Sequence, residues 1–444
     1  MSHDTLGTSF HDKYDRPIMH LVPHPERASL HNEVHARPPE AMAAPLGIAH
    51  LVMLADSTQR VESRHHLGLL LRDHHVPPPD EHTSHLRVDL GAFRLRWELH
   101  TEFVTWTFMV RLKDNELAAN QLANAIEAAP QEWLSGLPGQ CLSSINMWVL
   151  PGSRSSEDTW RQQVLREDAL LGSAVANHQA EVFADFVIQP NGSSRFLVYA
   201  DGLPPRRLGR LVQRLLEIET YRMAAMLGLP AARKAAAALS SAEGDLAEIA
   251  LAIRSAERHE EPKLLDRLTR LAAHVESQYA ATHSRFSAST AYFELMDQRI
   301  AQIDEAPLEG LQTIGEFIER RLTPARKTCE WAARRQDALS GRVSRVSNLL
   351  RTRVEIEQQQ SSQALLEALN KRQDLQLKLQ ATVEGLSVAA ITYYIVGLVS
   401  YLAKGAQGIG WPFSVESTTA LAIPLVGASV WLSLRRLHRS MFSH

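Results

Sequence analysis

Apolar and polar positions divide the chain into three regimes. In the first, "IAHLVMLA" (residues 48–55) is an apolar run of strand length, the pattern of a buried strand. Asp56 or Ser57 is placed to cap a helix running to about Val76, and "PPPD" (77–80) then breaks the chain. In "FRLRWELH", Phe93, Leu95, Trp97 and Leu99 alternate with Arg94, Arg96, Glu98 and His100, a period of two that predicts a strand with one wet face. "FVTWTFMVRL" continues the sheet, a helix is predicted over 117–129, and a strand over 143–150. "PGSRSSED" reads as a loop whose capping residues introduce a helix. "AEVFADFVIQP" and "RFLVYA" flank "NGSS", where Asn191 and Gly192 favour a tight hairpin turn because both tolerate positive φ. Strands mixed with helices and a hairpin predict an α+β domain.

The second regime is helical. "PPRRLGRLVQRLLEIETYRMAAMLGLP" opens on prolines, and Gly228-Leu229-Pro230 is expected to stop it. Leu208, Leu211, Val212, Leu215 and Ile218 make its apolar stripe. Arg207, Arg210 and Arg214 make a basic stripe, read as a solvated face balanced by Glu217 and Glu219 or as a grip for phosphate. From 245 to 380 nearly every segment permits helix, with breaks expected near Glu261-Pro262, over 304–310 and at Pro324. Residues 343–380 lack proline, and Leu365, Leu366, Leu369, Leu375 and Leu379 give them a coiled-coil-type seam for a partner helix.

In the third regime charge disappears. Residues 385–403 carry no charged side chain between Glu384 and Lys404, enough helix at 1.5 Å per residue to approach the roughly 30 Å of bilayer hydrocarbon. A second span over about 415–434 holds one acid, Glu416, and ends at Arg435, Arg436 and Arg439. A transmembrane hairpin follows, with both termini cytosolic by the positive-inside rule and Trp411 at headgroup level. On the first span Ser387, Ala390, Tyr394, Gly397, Tyr401 and Lys404 fall on one stripe at 100° per residue. That stripe either lines a water-filled pore or packs against another helix, with Gly397 allowing close approach. The expected organisation is a polar segment (1–47), a cytosolic α+β domain (48–204), a helical region leading to the membrane (205–384), the hairpin (385–434) and a basic cytosolic tail (435–444).

Composition narrows the function classes. A chain of 444 residues exceeds one ordinary core, so two or more folding units are expected. The net charge of −3 offers no global field for nucleic acid, which is not expected as a partner. Cys141 and Cys329 stand far apart, which excludes a disulfide framework or a thiolate zinc cluster. The polar start "MSHDTLGTSFHDKYDRP" shows no secretory signal. Fourteen of the twenty histidines lie in the first hundred residues, without a clean ligand spacing, and read as scattered surface residues ahead of a metal site or pH sensor. "HNEVHARPPE" (31–40) is the most chemical-looking stretch. It reads either as a metal or anion site using Glu33, His35 and Arg37, or as a folded-back segment pinned by its polar groups. No phosphate loop, nucleophile-elbow serine or H-E-x-x-H occurs, no cofactor is implied, and the reading leans away from an enzyme.

"NEVHARP", "FRLRWELHTEFVTWTF", "RRLGRLVQRLLEIETYRMAAMLGLP" and "YYIVGLVSYLAKG" resemble an uncharacterised bacterial domain-of-unknown-function family (family number 3422), described as a predicted membrane-anchored protein. The resemblance spans nearly the whole chain and implies membrane anchoring; it brings no activity, cofactor or catalytic residue. In plan the chain also looks like CorA-type metal ion transporters. Their Gly-Met-Asn motif after the first span is absent, the matching place reading Lys404-Gly405-Ala406-Gln407-Gly408, and Lys404 would repel divalent cations. The expectation is therefore a homo-oligomeric bacterial inner-membrane protein whose partner is the lipid bilayer. An ion-conducting oligomer, with an inorganic ion as further partner and the first span lining its pore, is the alternative.

Overall fold

The computed structural model describes residues 22, 24–28, 30–31, 39–113, 124–152, 160–408, 410 and 412–441. Expectations that fall on residues 32–38, 114–123, 153–159 and Trp411 lie outside the described residues. The chain forms two compact units. Residues up to Ile249 join Thr269–Ser344 in the first, and Ala250–Leu268 join Arg345–His444 in the second.

In the first unit a mixed sheet is built from β1 (Leu46–Leu54), β2 (His85–Asp89), β3 (Arg94–Leu99), β4 (Phe103–Arg111), β5 (Gln140–Pro151), β6 (Leu171–Val175), β7 (Ala180–Ala184), β8 (Ser194–Ala200) and β9 (Ala306–Pro307). The strand order is β2-β3-β4-β1-β5-β8-β7-β6-β9. Among the described strands only β5 and β8 pair in parallel, and the other neighbours are antiparallel. The longer helices are α1 (Ser57–Asp73), α2 (Pro205–Met226), α3 (Gly228–Ser255), α4 (Glu261–Ile303), α5 (Ile314–Gln407) and α6 (Val415–Met441).

β1 is apolar without alternation because both of its faces are covered. Ala49, Leu51 and Met53 pack with Leu67, Leu70 and Leu71 of α1 and with Trp97 of β3 and Trp106 of β4. Leu46 and Ile48, on the other face, pack with Leu208, Leu211 and Leu215 of α2 and with residues of α4 and α5, among them Met296 and Ile318. α1 begins with a capping box: the Asp56 carboxylate accepts from Gln59 N–H at 2.8 Å, and the Gln59 side chain accepts from Asp56 N–H at 3.1 Å. α2 seats closely because of Gly209, where an added Cβ would lie 1.6 Å from the Glu40 carbonyl oxygen.

Several local expectations are overturned. The Arg96 and Glu98 face of β3 is not wet: these residues are 6% and 8% exposed, paired at 2.6 Å, and shared with a cavity lined by α2. The stop expected at Gly228 does hold: α2 ends at Met226, and a new helix, α3, opens at Gly228 with Pro230 in its first turn, where a missing N–H is harmless. Pro324 lies inside α5 without ending it. The hairpin expected around Asn191 and Gly192 is present, β7 and β8 pairing antiparallel with Gly192 at φ +82°, but its loop is longer than the turn alone, β7 ending at Ala184 and β8 beginning at Ser194. The turn is a local one, in which Gly192 N–H donates to the Gln189 carbonyl. Glu217 acts on Arg214 of the basic stripe of α2 but makes its ion pair elsewhere, and Glu219 does not balance the stripe. Glu217 pairs with Arg299 of α4, and buried Glu219 makes a two-pronged pair with Arg222 at 2.6 and 2.7 Å.

In the second unit, buried Glu261 at the start of α4 forms an ion pair with Arg353 of α5 at 2.5 Å. Beyond Arg353, α5 continues through residues 354–384 with none of them buried.

Candidate functional site

The strongest candidate is the paired end of α5 and α6. The two helices touch where Thr392 faces Gly427: a Cβ added at Gly427 would meet Thr392 Cγ2 at 3.8 Å. Ala403, eleven residues on and near the same azimuth, is the buried residue of this part of α5. Thr392 spends its hydroxyl on its own helix, donating to the Val388 carbonyl at 2.7 Å, so the α5–α6 contact is an apolar one. Both helices are long and apolar enough to cross a membrane, and almost none of their apolar surface is buried within the chain. A core helix of a soluble protein shows the reverse.

The polar stripe of the first span points away from α6. Tyr394 and Tyr401 are 72% and 75% exposed, and nothing lies within 4 Å of a Cβ built on Gly397. Gly397 therefore faces no part of α6, which comes nearest α5 at Thr392 and Gly427 in ordinary van der Waals contact. Ser387 donates to the Val383 carbonyl at 2.8 Å, and the Lys404 ammonium stands 5.9 Å from the Tyr401 ring centroid.

A second candidate is buried in the first unit, between the sheet and α2. His50 is the lone polar side chain on its face of β1, and its ring joins two hydroxyls: Nδ1 to Thr107 Oγ1 at 2.8 Å and Nε2 to Thr220 Oγ1 at 3.2 Å. Thr220 already donates its proton to the Leu216 carbonyl at 2.8 Å. Nε2 must therefore carry the ring proton and donate, leaving Nδ1 to accept from Thr107. Burial, and then the Arg96 guanidinium, push His50 down to about 3, while Glu98 pulls the other way. Around it lies a cavity of about 30 Å³, lined also by Arg96, Glu98, His100, Glu217 and Tyr221. It can hold a water, and Arg96 Nε and Thr105 Oγ1 lack protein partners there. This neutral imidazole between two threonines is a structural polar core, with no room for a substrate. The signal for it in the sequence was a single histidine inside a nine-residue strand that is otherwise apolar or glycine.

A larger cleft of about 490 Å³ lies between α4 and the start of α5, lined by Asp297, Glu305, Glu316 and Arg326 among others. Its deepest carboxylate is already engaged. Glu305 accepts from Ser173 at 3.0 Å and from Gly315 N–H at 2.9 Å, so it closes the first turn of α5, and burial pushes its carboxyl up. Among the described residues no three histidine, cysteine or acidic side chains converge on a point where a metal ion could sit. Glu33, His35 and Arg37 lie outside the described residues.

The model of a family of proteins of unknown function, DUF3422, matches residues 22–441. The chain belongs to that family. The match takes in the sheet unit, the buried polar core and both apolar helices, so membership covers the whole molecule as described. No curated protein and no solved structure matches the chain.

Proposed function

We propose that this DUF3422 protein is an integral membrane protein of the bacterial inner membrane. In this reading the last turns of α5 together with α6 anchor the mixed-sheet unit, a sensing or interaction module, on the cytosolic side. One observation carries it: the large apolar side chains of both helices face outward, with Leu402 and Leu421 73% and 68% exposed, and the chain offers them no core. Apolar surface of that extent is stable in hydrocarbon and unstable in water. Arg435 and Arg436, after the second span, support a cytosolic C-terminus. The test is a carbonate wash of membranes from cells expressing the full chain, set beside a variant ending at Gln380. The full chain should stay in the pellet and the shortened one should move to the supernatant; release of the full chain would refute anchoring.

A second reading, ion conduction, is favoured by the outward stripe of Ser387, Tyr394, Gly397 and Tyr401 with Lys404 at its end. In an oligomer that stripe could line a path, and the cationic Lys404 would select against divalent cations. Reconstituted protein that passes neither cations nor anions would dismiss it.

A further inference from the structure

The face of α5 opposite α6 is continuous from water into the bilayer. Leu365 and Tyr401 are separated by about ten helical turns and share one azimuth. Between them Leu369, Leu379, Val383 and Tyr394 fall within about 40° of the same line, whereas Thr392 and Ala403, which mark the α6 side, lie half a turn away. Two independent observations show that this face lacks a cover. In the water-facing part Leu365 and Leu379 are 62% and 67% exposed. In the membrane part Tyr394 stands midway between Gly385 and Ala403, so its phenol projects near the bilayer centre on the side with no helix of its own chain. A hydroxyl left against hydrocarbon costs several kcal/mol, and the small residues Ala390 and Gly397 flank it, as at close helix–helix contacts.

We infer that the same face of α5 in a second copy of this chain covers it, the two helices running parallel and in register. The inference rests on the anchoring proposed above. Copies inserted in one sense into one membrane are necessarily parallel, and their spans sit at one depth. Leu365, Leu379 and Tyr394 of one copy then meet their equivalents without adjustment. An unrelated partner would have to match an aqueous leucine seam and a small-residue membrane stripe at the same spacing. In the aqueous part the face presents four exposed aliphatic side chains, Leu365, Leu369, Leu379 and Val383, at roughly 100 Å² each about half of the roughly 800 Å² that each partner brings to a standard interface, and the exposed Tyr394 and Tyr401 extend it through the span. Arg372 and Gln376 interrupt the face. Their apolar stems cover the seam while their heads reach water, and a polar step of this kind fixes register.

The test is disulfide trapping of the full-length chain in native membranes. In a C141S/C329A background, single cysteines are placed on the face (L365C, L379C, G397C) and on the opposite side (D374C, A381C), then oxidised with copper phenanthroline. Covalent dimer should form at least about fivefold faster at the three face positions. Dimer yield indifferent to face, in protein that withstands the carbonate wash, overturns this inference and leaves the anchor intact. Release by the wash overturns the anchor and the parallel register with it. A cross-linked band whose mass is not a multiple of the chain's assigns the face to another protein and overturns the choice of occupant.

Discussion

Acid should loosen the first unit through His50, and the size of the effect follows from its surroundings. The native ring is neutral, donating to Thr220 and accepting from Thr107. A second proton would sit on Nδ1, face a threonine hydroxyl that must turn round, and add charge close to Arg96; the folded group accordingly titrates at about 3. In the unfolded chain histidine takes up its proton near 6.5. Between those values the unfolded state binds one proton more, so stability rises with pH there. The contribution is complete above about 6.5 and falls by about 1.4 kcal/mol per unit as pH drops towards 3. From pH 7 to pH 5 the loss is about 2 kcal/mol. Urea unfolding of the full chain in a mild detergent, followed by fluorescence of the buried Trp97 and Trp106, measures it. The comparison is His50→Gln, whose amide can give and accept the same two hydrogen bonds but cannot titrate. The difference in stability between wild type and H50Q should change by about 2 kcal/mol over that range. Parallel pH profiles for the two proteins would refute the neutral, buried imidazole.

Two further substitutions probe the same seat of α2. Gly209→Ala sets a methyl against the Glu40 carbonyl, backbone that cannot swing aside, and should cost on the order of 1–3 kcal/mol in the same unfolding assay, a loss that an unaltered midpoint would contradict. Arg96→Met, which leaves the Glu98 carboxylate without its buried guanidinium, should cost about 3–5 kcal/mol, and the double variant R96M/E98L should recover part of it; a double variant no more stable than R96M would count against a pair dominated by desolvation.

Local chemistry was legible wherever the determinants were neighbours in sequence. Asp56 and Gln59 announce the start of α1 because a capping box needs only three residues' separation. The run around β1 reads as a buried strand because length and branching suffice. Arg96 and Glu98 misled because alternation records which side chains share a face and says nothing about what lies over it. The cover is α2, more than a hundred residues downstream, and the mutual pairing of the two charges lets that face be buried. Glu217 misled for the same reason, its ion-pair partner Arg299 lying on another helix, whereas Glu219 pairs with Arg222 only a turn along. Gly397 stands on the exposed stripe, while the α6 contact falls at Gly427, because helix azimuth alone does not tell which side a hairpin closes on.

That last point separates two demands on one helix. Residues 354–384 of α5 include Arg372, Asp374, Lys378 and Glu384, so this stretch belongs in water, and its leucines can be relieved only by protein. Residues 385–403 carry no charge, so their leucines and isoleucines are relieved by lipid and give no drive towards a partner. Within that span only the tyrosine hydroxyls and the small residues call for protein. The two demands meet along the azimuth that Leu365, Leu369, Leu379 and Val383 share with Tyr394 and Tyr401, while Leu366, Leu375, Leu377 and Tyr393 fall off it, and the chemistry that makes them is different on either side of Glu384. Had the seam and the stripe faced different directions, a single partner helix could have met one or the other; their alignment allows one straight contact to meet both.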